Sequence, residues 1–257
     1  MKEIAGQHAI TVPIRKDWDS DFFGFPVGAV TLPGSVDAAS VVRSVEEWRR
    51  SGFRLMYVFA EEPVEADVRS AVEKAGAVAF GSKVVYRKSC VGSTGRVPRT
   101  SHAVSTGSAA LEDLACASGE HSRFLRDERL RPSFRRLYVK WLEKELANGK
   151  VFVSSDAESP EGLATVSLAR GADDGRPFGN IGLVAVDSRR RGLGIASRLL
   201  EDVDSWLFEN GATGCEVATQ GDNAPARALY EKAGFRFVSE TAVWHFWNME
   251  GSEVVVK

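Results

Sequence analysis

The stretch "GLVAVDSRRRGLGIASRLL", residues 182–200, decides the fold. An apolar, β-branched run of strand length enters a turn containing Gly192 and Gly194, and a helical stripe beginning with Ile195 and Leu199 follows. Glycine lets the backbone turn tightly, and a helix start offers unpaired N–H groups and the positive end of its dipole. The stretch therefore predicts a strand–turn–helix unit with an anion site at the turn.

The turn fits other phosphate-binding motifs poorly. A dinucleotide-binding fold needs a third glycine where this chain has Ser197, and a P-loop needs a lysine after the second glycine. Three acidic residues on the following helix, Glu201, Asp202 and Asp204, disfavour a nucleic-acid backbone. Taken alone, the motif leaves a solvated turn with a basic rim open as an alternative.

A second motif lies downstream, "TQGDNAPARALYEKAGFRFV", residues 219–238. The two motifs, in this order and spacing, resemble the GCN5-related N-acetyltransferase (GNAT) superfamily. The resemblance implies an α/β (α+β) fold in which helices flank a mixed, splayed central sheet. It also implies that acetyl-CoA is the cofactor and lies between the two central strands.

The resemblance assigns the cofactor contacts to the first motif and to one downstream residue. The backbone N–H groups of residues 189–196 would bind the pyrophosphate, and residues 184–186 would pair with the pantetheine arm as an added strand. Asn223 would contact that arm, although it would equally serve as a helix N-cap before Pro225. The predicted contacts are Leu183, Val184, Ala185, Val186, Arg189, Arg190, Arg191, Gly192, Leu193, Gly194, Ile195, Ala196 and Asn223.

Tyr230 is the predicted catalytic acid, because the family uses the tyrosine of this helix to protonate the departing thiolate. A free tyrosine has a pKa of about 10 and a thiol about 8.5, so the phenol is protonated at neutral pH. The alternative is a tyrosine that simply packs in the core. Backbone N–H groups of the strand before the turn would polarise the thioester carbonyl. No side chain stands out as a general base.

Composition excludes several classes of protein. The 257 residues carry a net charge of −2, whereas a general nucleic-acid binder would be basic. Three cysteines without a C-x-x-C pair, and four scattered histidines, predict neither a disulfide framework nor a metal site. No apolar run is long enough to span a membrane. We expect a cytoplasmic protein with neither nucleic-acid nor membrane partners, and a homodimer is compatible with the sequence.

The chain divides into three predicted regions. Residues 1–92 read as a small N-terminal α/β domain that contributes to nucleotide-sugar binding, and residues 109–257 as the acetyltransferase domain. Residues 93–108, rich in Ser, Thr, Gly and Pro, read as a linker. Within the second domain, "ARGADDGRPFGN", residues 169–180, is predicted as a long acidic loop.

Further segments suggest the acceptor. "WDSDFFGFPVG" (18–28), "HSRFLRDERL" (121–130) and "AVWHFW" (242–247) resemble the TDP-fucosamine acetyltransferases, which acetylate a TDP-linked 4-amino-4,6-dideoxygalactose. The chemistry is consistent: aromatic rings stack on a base, arginine binds a pyrophosphate, and carboxylates orient a sugar or its ammonium. The candidate substrate contacts are Trp18, Asp19, Asp21, Phe22, Phe23 and Arg123.

Other functions stay open at this point. The first aromatic segment would also serve as a structural plug in which rings are buried and aspartates cap a turn. The acceptor would equally be another small amine or a protein N-terminus. A catalytically silent acyl-CoA-binding module would carry the same two motifs.

Overall fold

The computed structural model describes residues 12–90, 101–154, 159–171 and 175–248. The chain divides into two compact units, which are described separately. Unit 1 contains the described residues up to Lys83 and those from Ser239 onward, and unit 2 is Val84–Val238. No helix in the described ranges is long and apolar enough to cross a bilayer.

Strands and helices alternate along most of the chain. The strands are β1 (Ile14–Arg15), β2 (Val27–Leu32), β3 (Leu55–Glu61), β4 (Ala77–Ser89), β5 (Ser101–Val104), β6 (Lys150–Ser154), β7 (Gly162–Arg170), β8 (Pro177–Val186), β9 (Gly214–Gln220) and β10 (Arg236–Trp247). The α-helices are α1 (Asp17–Phe23), α2 (Ala38–Arg50), α3 (Ala66–Lys74), α4 (Ala109–Ser118), α5 (Arg123–Arg126), α6 (Phe134–Asn148), α7 (Ile195–Glu209) and α8 (Ala224–Lys232).

Unit 1 is a mixed sheet in the strand order β1-β2-β3-β10-β4. β2 and β3 are parallel, and β10 pairs antiparallel with β3 from Thr241↔Glu61 to Trp247↔Leu55. The amphipathic helices α2 and α3 bury their apolar faces in a core that includes Trp48, Val58 and Trp244. Burial of large side chains such as these contributes most of the stabilisation of a small unit.

Unit 2 has the strand order β4-β9-β8-β7-β6-β5, in which β5 to β8 pair antiparallel and β8 pairs parallel with β9. Alternate strand residues, including Phe152, Ala164 and Ile181, pack with α7 in one core cluster. Because successive strand residues face opposite sides, Thr165 and Gly182 lie on the other face, next to α6. Helices therefore cover both faces of the sheet, as the family resemblance implies.

The unit boundaries differ from the predicted division at residues 93–108. Residues 91–100 lie outside the described ranges, but residues 101–104 of the predicted linker form β5, which pairs with β6. The N–H and hydroxyl of Ser101 both donate to the buried carboxylate of Asp202, at 2.9 and 2.6 Å. Because β5 is held in part by these polar contacts and not only by apolar packing, its composition resembles that of a loop.

Two further differences come from strand pairing. β10 returns the chain to unit 1 because its residues from Thr241 onward complete the ladder with β3. The predicted loop at residues 169–180 is largely strand, since Ala169↔Phe178 and Arg170↔Pro177 extend the β7–β8 ladder outward. Residues 172–174 of that loop lie outside the described ranges.

Candidate active site

The candidate site lies where β8 and β9 part. Their ladder runs from Gly179↔Cys215 to Ile181↔Val217, although β8 continues to Val186 and β9 to Gln220. The early end of the β8–β9 ladder coincides with an irregularity in the neighbouring β7–β8 ladder, where Ala164↔Val184 is followed by Val166↔Ile181. One residue of β7 thus opposes two of β8, which is a β-bulge, and a bulge bends the strand that carries it.

The direction of each N–H group along β8 follows from two hydrogen bonds. The Leu183 N–H donates to Thr165 Oγ1 at 2.9 Å, and the Asp187 N–H donates to the Glu161 carbonyl at 2.8 Å. Backbone groups alternate in direction along a strand, so the N–H of residue 185 also faces β7, and those of Val184 and Val186 face the other edge. Of the predicted contacts on β8, only Val184 and Val186 therefore turn their N–H groups toward the opening.

The turn after β8 is built on two glycines in the left-handed region, Gly192 with φ +81° and Gly194 with φ +75°. Gly194 is the N-cap of α7 and provides no side-chain cap, so the first-turn N–H groups have no partner supplied by the cap. A Cβ placed on Gly192 would meet nothing within 4 Å. Within the protein, glycine is thus needed there for its backbone conformation, since no neighbouring atom excludes a side chain.

The three arginines of the turn share one property, which is an ion pair with a nearby carboxylate. The pairs are Arg189 Nη2 with Asp187 Oδ2 at 2.7 Å, Arg190 Nε with Glu161 Oε1 at 2.9 Å, and Arg191 Nη2 with Glu120 Oε2 at 3.1 Å. Hydrogen bonds from Arg189 lower the pKa of Asp187 to about 2. Since these carboxylates offset the arginine charge, the backbone N–H groups are the main feature that an anion would meet.

Tyr230 lies on α8 and is 5% exposed. Its ring packs with Tyr86 and Phe235, with centroids 6.1 and 5.9 Å away. Burial raises the pKa of the phenol, because the phenolate would lose its hydration. The side chain is therefore part of the core and also holds its proton at neutral pH, so its role as an acid stays a prediction.

Asn223 performs the capping role that the sequence left open. Its Oδ1 accepts from the Ala226 N–H at 3.3 Å, and its Nδ2 donates to Thr219 Oγ1 at 3.1 Å. Both polar groups of the amide are thus used to begin α8 and tie it to β9. A contact with the cofactor arm stays a prediction.

The aromatic candidates of the N-terminal segment lie together on α1, in unit 1. Trp18 is 46% exposed and stacks on Phe22, with centroids 5.2 Å apart and planes 3° from parallel. Phe23 meets Phe22 edge to face at 4.9 Å. The exposure of Trp18 is unlike that of a plug, which would bury its largest ring.

The charged candidates are placed differently. Asp19 accepts a hydrogen bond from the Tyr57 hydroxyl at 2.9 Å, and Asp21 is exposed on the same helix. Arg123 belongs to unit 2, where it begins α5 and its guanidinium lies 4.4 Å from the Phe124 ring centroid. Five of the six predicted substrate contacts therefore share α1.

Sequence reasoning missed Glu145, which is buried on α6 with 5% exposure. A glutamate in an amphipathic helix is ordinarily solvated, and so it was not predicted as a site residue. The signal was its position, three residues after Leu142 and four after Trp141, on the apolar face of α6. Burial raises the pKa of this carboxyl group, and the hydrogen bond from Trp141 partly opposes that rise.

Comparisons with known proteins agree with this geometry. Residues 111–235 match the sequence model of the acetyltransferase (GNAT) family. A mycothiol acetyltransferase of Corynebacterium kroppenstedtii is 31% identical over 87 residues, which are 33% of this chain and 24% of that protein. The chain thus matches about a quarter of the length of this curated relative.

Solved structures show the fold. A conserved protein of unknown function from Staphylococcus epidermidis superposes with a TM-score of 0.62 at 10% identity, over 96% of this chain and 94% of that one. GCN5-related N-acetyltransferases from Kribbella flavida (15% identity, 86% and 80% coverage) and Sphaerobacter thermophilus (17% identity, 89% and 76%) each give a TM-score of 0.50. The predicted mixed sheet flanked by helices is confirmed.

Proposed function

We propose that this chain, whose residues 111–235 match the sequence model of the acetyltransferase (GNAT) family, transfers an acetyl group from acetyl-CoA to a primary amine. The observation that carries the proposal is the end of the β8–β9 ladder at Ile181↔Val217. It leaves one edge of β8 unpaired by β9 and directs that edge toward the open start of α7. An extended ligand with an anionic end matches such an edge and helix start.

The residues present fit the acyl donor. The N–H groups of Val184 and Val186 would pair with the amide-bearing arm, and those of the turn and first helical residues would bind the pyrophosphate. Gly192 leaves open space above the backbone, which a close approach by a phosphate requires. Bound acetyl-CoA would supply the thioester carbonyl at this edge.

Tyr230 supplies the proton for the leaving thiolate in this proposal. Its raised pKa keeps the phenol protonated at neutral pH, so the proton is available to the thiolate as the carbon–sulfur bond breaks. Transfer is direct, within a ternary complex. Cys215, the cysteine nearest the second motif, is fully buried in the core of unit 2 and offers no exposed nucleophile.

The amine we propose is the 4-amino group of a TDP-linked 4-amino-4,6-dideoxyhexose. The support is the aromatic surface of α1, where exposed Trp18 stacks on Phe22 and offers a flat face to a nucleobase. Asp21 is exposed on the same helix and would pair with a sugar ammonium group or hydroxyl. A cytoplasmic location and a homodimer stay predictions.

A panel of amines tests the proposal. The purified protein is incubated with acetyl-CoA and one amine at a time: TDP- and UDP-linked 4-amino-4,6-dideoxyhexoses, free amino sugars and short peptides. Mass spectrometry follows the acetylated product, and calorimetry measures acetyl-CoA binding separately. We expect the TDP-linked sugar to be acetylated with the highest kcat/KM.

The other outcomes separate the alternatives. Faster acetylation of another amine would remove the nucleotide sugar and keep the acetyltransferase. Binding of acetyl-CoA without transfer to any amine would indicate an acyl-CoA-binding module. Failure to bind acetyl-CoA would contradict the proposed use of the β8 edge altogether.

A further inference from the structure

Glu145 is the buried carboxyl group in unit 2 that packing alone does not explain. Its Oε1 accepts from Trp141 Nε1 at 3.1 Å, while its Oε2 has no hydrogen-bond partner among the described residues. A buried carboxyl oxygen without a partner is costly, because it loses hydration and gains nothing in return. Such a group is more typical of a functional site than of a core.

Glycines make the space that this carboxyl group occupies. A Cβ on Gly149 would lie 2.9 Å from Glu145 Oε2, and one on Gly182 would lie 3.2 Å from Oε1. Both distances are shorter than ordinary contact, so any other residue at either position would push the carboxylate aside. Trp141 holds Oε1, the oxygen on the side of Gly182, and the unpartnered Oε2 lies on the side of Gly149.

The carboxyl group lies beside the vertex of the opening between β8 and β9. Gly182 directly follows Ile181, the last β8 residue paired with β9, and comes two residues before Val184. Thr165 Oγ1 would lie 2.8 Å from a Cβ on Gly182 and accepts the Leu183 N–H, so it fixes the bulge over Glu145. The group is thus next to the start of the edge at which the proposed transfer takes place.

We propose that Glu145 is the proton acceptor of the transfer reaction, receiving the proton that the attacking amine loses. This inference rests on the proposed function and adds the base that the sequence does not identify. The carboxyl group lies on the α6 face of the bulge, and its unpartnered Oε2 has the free acceptor capacity to receive the proton, directly or through one bound water. Tyr230, on α8, acts separately as the proton donor.

The step balances as follows. The amine nitrogen forms a bond to the acetyl carbon, the carbon–sulfur bond breaks, and its electron pair leaves with sulfur. The nitrogen releases one proton to the Glu145 carboxylate, and sulfur takes one proton from the Tyr230 phenol. Return of the first proton to the phenolate, through solvent, restores both side chains. No oxidant or further reactant is required.

The charges around Glu145 are few. Lys144 on its own helix acts on it through space, and Lys150 begins the neighbouring strand β6. α4, which packs on α6, carries Glu112 and Asp113, both engaged by Arg135 near the start of α6. β7 and β8 present the Thr165 hydroxyl and the Gly182 backbone. Desolvation therefore dominates, and it makes the carboxylate a better base than an exposed one.

The test compares Glu145→Gln with Glu143→Gln, an exposed glutamate of the same helix that pairs with Lys140. With the preferred amine, Glu145→Gln should lower kcat/KM by about 10²-fold or more, the usual contribution of a general base. It should also remove the acidic limb that the carboxyl group gives to the pH profile. Glu145→Asp should retain that limb at reduced rate, and Glu143→Gln should behave as wild type.

A measurement of stability separates a base from a structural acid. Burial raises the folded pKa of Glu145 above its unfolded value, so its contribution to stability is present below about pH 4 and is lost as pH rises through the folded pKa. Glutamine cannot ionise, so the Glu145→Gln protein does not lose this stability as pH rises. The urea midpoint of Glu145→Gln should therefore rise relative to wild type as pH increases across this window.

Three results would overturn the inference. An unchanged acidic limb in an active Glu145→Gln protein would remove Glu145 and leave the acetyltransferase proposal intact. A urea midpoint below wild type at every pH would make Glu145 a structural residue and not the base. Absence of wild-type transfer to every amine in the panel would remove the proposed function, and this role with it.

Discussion

Two helix starts in unit 2 differ although both follow strands at the same opening. α8 follows β9 and is closed by its own sequence, because the Asn223 side chain caps the Ala226 N–H and Pro225 needs no partner there. α7 follows β8 and begins at Gly194 without any side-chain cap. One start satisfies its backbone donors internally, and the other leaves them for a ligand.

The difference assigns separate tasks to the two helices. An open start after a splayed strand is suited to an anion, whereas a closed start fixes the orientation of the side chains that follow it. α8 carries Tyr230 one residue after Leu229, in the core of unit 2. In the proposed function, α7 would bind the acyl donor and α8 would position the acid.

The largest effect is expected from Tyr230→Phe. Removing the hydroxyl group that donates the proton should lower kcat by about 10²-fold or more, the range found for general acids. Acetyl-CoA affinity, measured by calorimetry, should stay at the wild-type value because α8 is not the binding helix. Wild-type turnover in this variant would make Tyr230 a core residue only.

The open start of α7 is tested by Gly192→Leu, with Gly211→Leu as its matched control. Both glycines have positive φ, +81° and +70°, and neither has an atom within 4 Å of an added Cβ. The strain should thus reduce stability similarly, but Gly192→Leu alone should raise the KM for acetyl-CoA, by about tenfold or about 1.4 kcal/mol. Equal KM values in the two variants would contradict an anion site at the turn.

The closed start of α8 is tested by Asn223→Ala. Loss of the cap should reduce the free energy of unfolding by about 1 kcal/mol, and Asn223→Ser should recover most of it. Chemical denaturation measures both variants. If Asn223→Ala instead raised the KM for acetyl-CoA as much as Gly192→Leu does, the asparagine would be a cofactor contact.

The smallest effect is expected from Arg190→Ala. Its guanidinium is half-exposed and already paired with Glu161, so the change in binding free energy should be within about 0.5 kcal/mol. Steady-state kinetics against acetyl-CoA give the value. A larger KM increase than that of Gly192→Leu would shift the anion site from the backbone to the arginines.

Local patterns predicted much of unit 2. The strand–turn–helix unit around Gly192 and Gly194 is predicted by apolar spacing and glycine, and α8 begins after Asn223, where the sequence offers an N-cap before Pro225. Residues close together in the sequence determine these elements, either through apolar periodicity or through a helix cap.

The remaining features depend on partners far away in the sequence. β5 is held by Asp202, about a hundred positions from Ser101, so its polar composition reads as a linker. The Glu145 carboxyl group fits in the interior because Gly149 and Gly182 leave room for it, and the periodicity of α6 does not reveal these two partners. The direction of each N–H on β8 follows from the bulge opposite Thr165, which is a property of the paired strands.

The return of β10 to unit 1 has a consequence for how the chain is made on the ribosome. β10 lies between β3 and β4 in the strand order of unit 1, and it brings Trp244 and Phe246 to that core. Until Trp247 has been synthesised, β3 exposes an unpaired edge and its core lacks two aromatic rings. The unit that begins the sequence is therefore completed after the whole of unit 2 has been translated, against the usual order of domain folding.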